Sequence, residues 1–308
     1  MAIQNVYIDE SIGTATGSGT LADPWGTFVH GLGQISANSS GGTRINVRSG
    51  TSIVFNTSDS IGSLLTFSPS LEAPVIIQGY TSYSEDGGTF DFDMNQRTSG
   101  FCNVNNLSFM DGKIHNSAAN GILGFNYNRA CVNIHFTNHT ATGTAGIYAH
   151  RGCAFINCRF DNMDYLYGYI VFPLHGTRFD GCFFDGTTGF GNNMAYSGDG
   201  GSSFVNNIFL VPSERTGSVG WSKCIYISMG NSTTPVRCVI SNNTFFKQGK
   251  ITSGDAITFQ AGSGGSSETA CVVTINLIEG FTNGINIGQN EDRLHVYAGN
   301  SFFDNTTD

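Results

Sequence analysis

The sequence predicts an all-β solenoid, a parallel β-helix, and three observations carry that prediction. The first is a spaced Asn-x-x-Phe repeat. It occurs as Asn106…Phe109, Asn133…Phe136, Asn157…Phe160, Asn243…Phe246 and Asn300…Phe303, with variants Gly181…Phe184, Asn207…Leu210 and Asn276…Glu279. Successive anchors lie 27, 24, 24, 26, 36, 33 and 24 residues apart. A period of this size marks a stacked repeat in which no unit can bury its own apolar face. The second is composition: of 308 residues, 41 are Gly and 24 are Phe, against 6 Pro and 12% charged residues. Many short strands joined by turns use that mixture. The third is an opening segment that differs from the repeats and reads as a cap.

In chain order, Val6–Asp9 is expected as a strand. A Gly/Ser/Thr loop, Ala22-Asp23-Pro24-Trp25-Gly26 and a short helix near Phe28–Ile35 follow. Gly42–Thr51 alternates as a strand that ends in a turn. The helix would cover the first coil and blunt an open sheet edge. Residues 1–55 therefore read as the cap and first strands, and 56–308 as one continuous run of coils. A spacing near 24 gives each coil about three short strands and three turns, with a rise of about 4.8 Å.

Residues one and three past each anchor share a strand face. The first set is Leu107, Ile134, Cys158, Cys182, Ile208, Thr244, Leu277 and Ser301, and the second is mostly Phe. Both are expected inside, with Leu107, Ile134, Cys158 and Cys182 in one column. The anchors Asn106, Asn133, Asn157, Asn207, Asn243, Asn276 and Asn300 read as a structural ladder, because Asn tolerates the left-handed conformation and stacked amides bond to one another. Residues two past the anchor should face outward: Ser108, His135, Arg159, Phe183, Phe209, Phe245, Ile278 and Phe302. On that reading Phe183, Phe209, Phe245 and Phe302 form an aromatic outer stripe. It would be a contact surface between chains, unless the insertions near 211–236 and 247–270 cover it.

Net charge is −9, and the only lysines are Lys113, Lys223, Lys247 and Lys250. Without a basic run, binding to nucleic acid through its phosphates is not expected. No 18-residue apolar stretch predicts a membrane span. The start lacks the charged and apolar regions of a secretory signal. Folding in a reducing cytoplasm is therefore expected, with the eight cysteines as thiols packed like small apolar groups. Cys158 and Cys182 directly follow an anchor, while Cys238 and Cys271 precede one by five. No Cys/His spacing suits zinc. Sequons such as Asn56-Thr57-Ser58 and Asn138-His139-Thr140 read as turn chemistry.

The opening Tyr7-Ile8-Asp9 … Gly17-Ser18-Gly19-Thr20 … Asp23-Pro24-Trp25-Gly26-Thr27-Phe28 … Gly41-Gly42-Thr43-Arg44-Ile45-Asn46-Val47 … Gly50-Thr51, with the coils behind it, resembles the pectate-lyase-like superfamily. The resemblance covers nearly the whole chain and implies a right-handed helix. It implies no single chemistry, since the superfamily holds lyases, glycoside hydrolases, epimerases and phage tailspikes. Polygalacturonase-like members carry Asn-x-Asp, Asp-Asp, Gly-His-Gly and Arg-x-Lys on successive coils. None is intact here, and Leu174-His175-Gly176 lacks the first Gly. The calcium-binding acids of pectate lyases have no evident counterpart.

The candidate catalytic residues are Asp161, Asp185 and His175. Asp161 and Asp185 both lie four past an anchor and should stack on adjacent coils, a pair about 5 Å apart that suits a retaining glycosidase or a calcium site. His150, Arg151, Asp164, Arg178 and Asp180 fall on the same coils. The competing reading is turn chemistry, because Asp161-Asn162, Asp185-Gly186 and Asp304-Asn305 recur at one position. Asp91 and Asp93 would share a face, as a cation site or as exposed polar residues. Ser197–Ser203 is Gly-rich but has no strand–helix context, so it is not read as a phosphate loop. No resident metal or cofactor is expected; calcium is the one cation the acids could take.

Two functions are expected. The first is a tailspike- or fibre-like structural protein of a virion, binding surface glycans and working outside the cell once assembled. The resemblance implies that its chains associate as trimers. The chain stops at Asp308, five residues past Phe303, so the last coil is expected to meet a neighbouring subunit or further chain. The second is a polysaccharide lyase or glycoside hydrolase working through Asp161 and Asp185. An extracellular adhesion module is a third reading.

Overall fold

The computed structural model describes residues 3–36, 41–56, 58–119, 121–124, 127–141, 145–149, 151–165, 169–173, 176–186, 193–197, 201–211, 223–229, 236–248, 254–261, 269–288 and 294–306. Every paired strand in them is parallel, in one sheet of 19 strands and one of six. The chain is a parallel β-helix. The ladder begins at Gln4–Ile8, which pairs with Thr43–Arg48, so the opening segment is already a coil.

Helix α1 (Phe28–Gln34) starts where the sequence places it, because the Thr27 side chain accepts from the His30 N–H. It seals the first coil through Phe28 and Leu32, both fully buried. A second short helix, α2 (Ile61–Leu64), was not foreseen. Its capping box is Ser60 with Ser63, and that pairing lacks the usual Glu or Gln.

The core consists of like residues stacked at the coil rise. Phe136, Phe160, Phe184, Phe209 and Phe245 form one column, with ring centroids 5.2, 4.7, 4.7 and 4.8 Å apart and nearly parallel planes. Phe155, Phe179 and Phe204 form another, at 4.9 and 5.1 Å. Aromatic pairs left to themselves prefer edge-to-face or offset geometry. Here strand spacing imposes the stack, and burial contributes about 2–3 kcal/mol per ring.

The asparagines form two rows rather than one. Asn133, Asn157, Asn206 and Asn242 occupy a left-handed corner with φ between 52° and 59°, and Gly181 and Gly299 fill the same corner elsewhere. Their amides link outside the helix, as in Asn242 Nδ2 to Asn206 Oδ1 at 2.6 Å. One residue later runs an inner row of Asn207, Asn243, Asn276 and Asn300. Each Nδ2 donates to a backbone carbonyl of the preceding coil. Asn207, Asn243 and Asn276 each also donate to the next Asn Oδ1. The first three are about 1% exposed.

This one-residue offset corrects the repeat at both ends. Phe183 pairs with Ile208 and Phe184 with Phe209, so Asn207 stands over Cys182 and not over Gly181. From that coil onward the residue two past the anchor points inward. Phe209 and Phe245 are fully buried, and Phe302 packs against the core. Only Phe183 keeps an outward place, so the expected aromatic outer stripe does not exist on this face. Ile208 and Leu277, expected inside, are 44% and 38% exposed. At the other end Asn106 belongs to an earlier corner, where its Oδ1 accepts from Asn128. Leu107 stacks on Val75, while Ile134 aligns with Gly112. Ile134, Cys158 and Cys182 do share a column, and Leu107 lies in another.

The cysteines also depart from expectation. Cys238 and Cys271 sit in register and form a disulfide, with Cα atoms 4.7 Å apart. The other six are buried and form no disulfide. Among the described residues no helix is long and apolar enough to cross a membrane.

Two outcomes follow. Asn243→Ala strips hydrogen bonds from Asn207, Phe204 and Asn276 inside the core, so it should cost about 3 kcal/mol in urea unfolding. Asn242→Gly keeps the corner conformation and should cost under about 1 kcal/mol. His139 is fully buried and neutral: its Nδ1 accepts from the Ser117 N–H, and its Nε2 donates to Ile114 O. Burial pulls its pKa down to about 3. Because the folded value lies below the ordinary 6.5, its contribution is whole above pH 6.5 and erodes as pH falls toward 3. The slope approaches about 1.4 kcal/mol per pH unit. Urea titrations between pH 7 and 4 should show this slope in the native protein and its loss in His139→Asn.

Candidate functional site

Two outward faces carry chemistry. The first holds the residues singled out in the sequence. Strand register places Asp91, Lys113, His135, Arg159 and Phe183 in one row and Asp93, His115, Thr137, Asp161 and Asp185 in the next. Asp161 and Asp185 are indeed neighbours on adjacent coils. Asp161 lies within a strand and the left-handed corner falls on Asn162, with φ 47°. Turn chemistry therefore accounts for Asn162 and not for the carboxylate.

Ion pairs dominate this face. His135 Nε2 lies 2.9 Å and Arg159 Nε 2.5 Å from Asp161 Oδ2, and Arg159 reaches Asp185 at 3.6 Å. The guanidinium also lies 4.9 Å over the Phe183 ring. His115 meets Asp91 at 2.8 Å. Burial raises the Asp161 pKa, but hydrogen bonds from Thr137, Arg159 and His135 outweigh it and leave the carboxyl below its usual range. A general acid needs the opposite shift. The pair is arranged as an ion-pair ladder, with Arg159 bridging both acids. Asp93 accepts from Asn95 and Asn116, and Asp180 pairs with Arg178 and Asn206. His175 and His150 lie outside the described residues, as does the Asp164 side chain. Among the described residues no three His, Cys, Asp or Glu side chains converge to hold a metal.

The second face belongs to the six-stranded sheet and was not foreseen. Its strands are Ala145–Ala149, Tyr169–Pro173, Asn193–Ser197, Lys223–Met229, Asp255–Ala261 and Asn283–Ile287. In each, the second and third residues are turned away from the face; Ile170, Val171, Cys224, Ile225, Ala256 and Ile257 are fully buried. The first and fourth residues form two register rows, in which Tyr148, Tyr169, Phe172, Lys223 and Tyr226 are half-buried and Ala145 is fully buried. The fourth-residue row reads Tyr148, Phe172, Tyr196, Tyr226, Thr258, Asn286, and the first-residue row Ala145, Tyr169, Asn193, Lys223, Asp255, Asn283.

Contacts between the rows confirm the shared face. Tyr169 and Phe172 rings are 5.8 Å apart, Tyr148 and Phe172 5.7 Å. Lys223 Nζ lies 4.2 Å from the Tyr226 ring centroid. Asp255, only 2% exposed, accepts from Thr258 at 2.8 Å, Asn283 at 2.6 Å and Asn286 at 2.8 Å. Tyr226 donates its hydroxyl to Gln260. Burial lowers the Lys223 pKa, and Asp255 opposes the shift. Burial also lifts the Cys224 thiol far above its ordinary value, so it supplies no nucleophile. One face thus runs from aromatic rings to a carboxylate, a lysine and amides.

The legible signal was a five-residue motif, Ala-Gly-Ile-Tyr-Ala, Tyr-Ile-Val-Phe-Pro, Lys-Cys-Ile-Tyr-Ile, Asp-Ala-Ile-Thr-Phe and Asn-Gly-Ile-Asn-Ile. Variable spacing between copies concealed it.

No protein-family model matches the chain, and no curated protein matches it. Solved structures do. A tailspike protein of E. coli bacteriophage HK620, in complex with a pentasaccharide, aligns with TM-score 0.53 at 15% identity over 85% of this chain and 51% of that one. The chain thus spans about half the length of that tailspike. A rhamnogalacturonan lyase aligns with TM-score 0.48 at 12% identity, over 97% of this chain and 87% of that one. A lacto-N-biosidase from Eubacterium ramulus gives 0.43 at 10%, over 97% and 68%. At 15% identity the likeness to the tailspike is one of fold alone.

Proposed function

We propose that this protein is a tailspike- or fibre-like β-helix that holds an extended glycan along its six-stranded sheet and works outside the cell on an assembled particle. The observation that carries the reading is the row of Tyr148, Phe172 one coil on and Tyr226 two coils beyond that, leading into Lys223, Asp255, Asn283 and Asn286. Ligand sites combine apolar and aromatic walls with a few placed polar groups. Aromatic rings pack against the C–H faces of sugars, while amides, a lysine and a carboxylate address their hydroxyls. A row repeating once per coil suits a polymer rather than a compact metabolite. The pentasaccharide bound to the tailspike that shares this fold is in keeping with such a ligand.

A second reading, a polysaccharide lyase or glycoside hydrolase, is supported by the in-register Asp161–Asp185 pair. Against it stands the lowered Asp161 pKa, which suits that carboxyl poorly to act as the proton donor.

Binding to a panel of neutral and acidic bacterial polysaccharides, with reducing ends assayed in parallel, separates the two. The proposal expects binding without new reducing ends, weakened at least about tenfold by Tyr226→Ala and unchanged by Asp161→Asn. Release of reducing ends or unsaturated sugars, abolished in Asp161→Asn, would establish the enzyme instead.

A further inference from the structure

Cys158 and Cys182 repeat, deeper in the core, the relation that joins Cys238 to Cys271. Arg159 pairs with Phe183, and the Phe183 N–H donates to Cys158 O at 2.9 Å, so the two cysteines lie side by side on adjacent coils. Cys238 and Cys271 oppose each other in the same way, with Cα atoms 4.7 Å apart. Strand spacing sets Cys158 and Cys182 at about the same separation, about 4.8 Å, which a disulfide spans.

The side chains converge as well. Both residues are 1% exposed, and their thiols are in hydrogen-bonding contact. Each thiol also reaches a carbonyl of the preceding coil, Cys158 Sγ to Cys131 O at 3.2 Å and Cys182 Sγ to Phe155 O at 3.3 Å. None of the other four cysteines has a cysteine in register. Cys102 stands beside Leu123, Cys131 between Phe109 and Phe155, Cys153 beside Thr177 and Cys224 beside Ala256.

We propose that Cys158 and Cys182 are a site of oxidative cross-linking, at which a small soluble disulfide turns the two thiols into a bond between adjacent coils. One cysteine sulfur attacks the small disulfide, forms a mixed disulfide and expels a thiolate, which takes up that cysteine's proton. The other cysteine sulfur attacks the mixed disulfide and expels the second thiolate, which takes up the second proton. The protein pair is oxidised by two electrons, and the small disulfide is reduced to two thiols. Thiolate is scarce in the finished core, because burial raises the Cys158 pKa, and a close-packed interior leaves no room for the mixed disulfide. The bond therefore closes while the coil is forming, and it then holds the register of the two coils. The proposal is independent of the glycan reading.

Refolding of the reduced full chain from urea tests it, in a glutathione mixture oxidising enough to close Cys238–Cys271, followed by alkylation and non-reducing peptide mapping. A peptide linking Cys158 to Cys182 should appear. In Cys238→Ser, where this bond alone varies, the chain refolded with oxidised glutathione should unfold in urea at least about tenfold more slowly than the chain refolded reduced. Adding Cys182→Ser should abolish that difference. A folded native chain that has closed Cys238–Cys271 but has both Cys158 and Cys182 alkylated overturns the proposal. So does a bond from either residue to Cys131, or equal unfolding rates for oxidised and reduced Cys238→Ser.

Discussion

Parallel strands in strict register are the constraint on which the whole molecule depends. A coil of this chain has little interior of its own, and burial is completed only when the next coil sets like residues on like. The phenylalanine columns are the visible result, with rings held nearly parallel at strand spacing although free aromatic pairs favour other geometries. The asparagine rows fix the register from both sides of the wall. The outer row supplies a backbone corner that most residues resist, and the inner row ties each corner to carbonyls of the preceding coil.

Those corners also decide what faces water. A shift of one residue moves a side chain from one side of a strand to the other. It converts Phe209 and Phe245 from expected surface to core and sends Ile208 and Leu277 outward. In the six-stranded sheet, the same logic sets first residue over first and fourth over fourth from coil to coil. Side chains as unlike as Tyr169, Lys223 and Asp255 thereby share a row. The proposed glycan face is a consequence of register, which aligns the five-residue motifs of successive coils.

Much of the fold was legible in the sequence, because the repeat and the cap are written in local turn chemistry. Asn at a left-handed corner and Thr27 before Phe28 each carry a conformational preference that needs no distant partner. Stacking of Asp161 on Asp185 was legible for the same reason, as both count from neighbouring anchors. The offset at Asn207 was not, since Asn suits both the corner and the inner row and the two rows differ by a single position. Cys238 and Cys271 share an offset from their anchors and so a register position, but the expectation of reduced thiols concealed their bond. The six-stranded sheet escaped because its flanking segments vary in length, and its functional rows are defined by position instead of residue type.

Register itself can be measured directly by removing one coil. Deleting residues 183–207 joins Cys182 to Ile208 and, by the pairing of Phe183 with Ile208, preserves every column; deleting one residue more places Phe209 where Ile208 faced water. The account predicts that the first deletion unfolds cooperatively in urea, with a midpoint near that of the full chain, and that the second loses its cooperative transition. Equal stability of the two would contradict it.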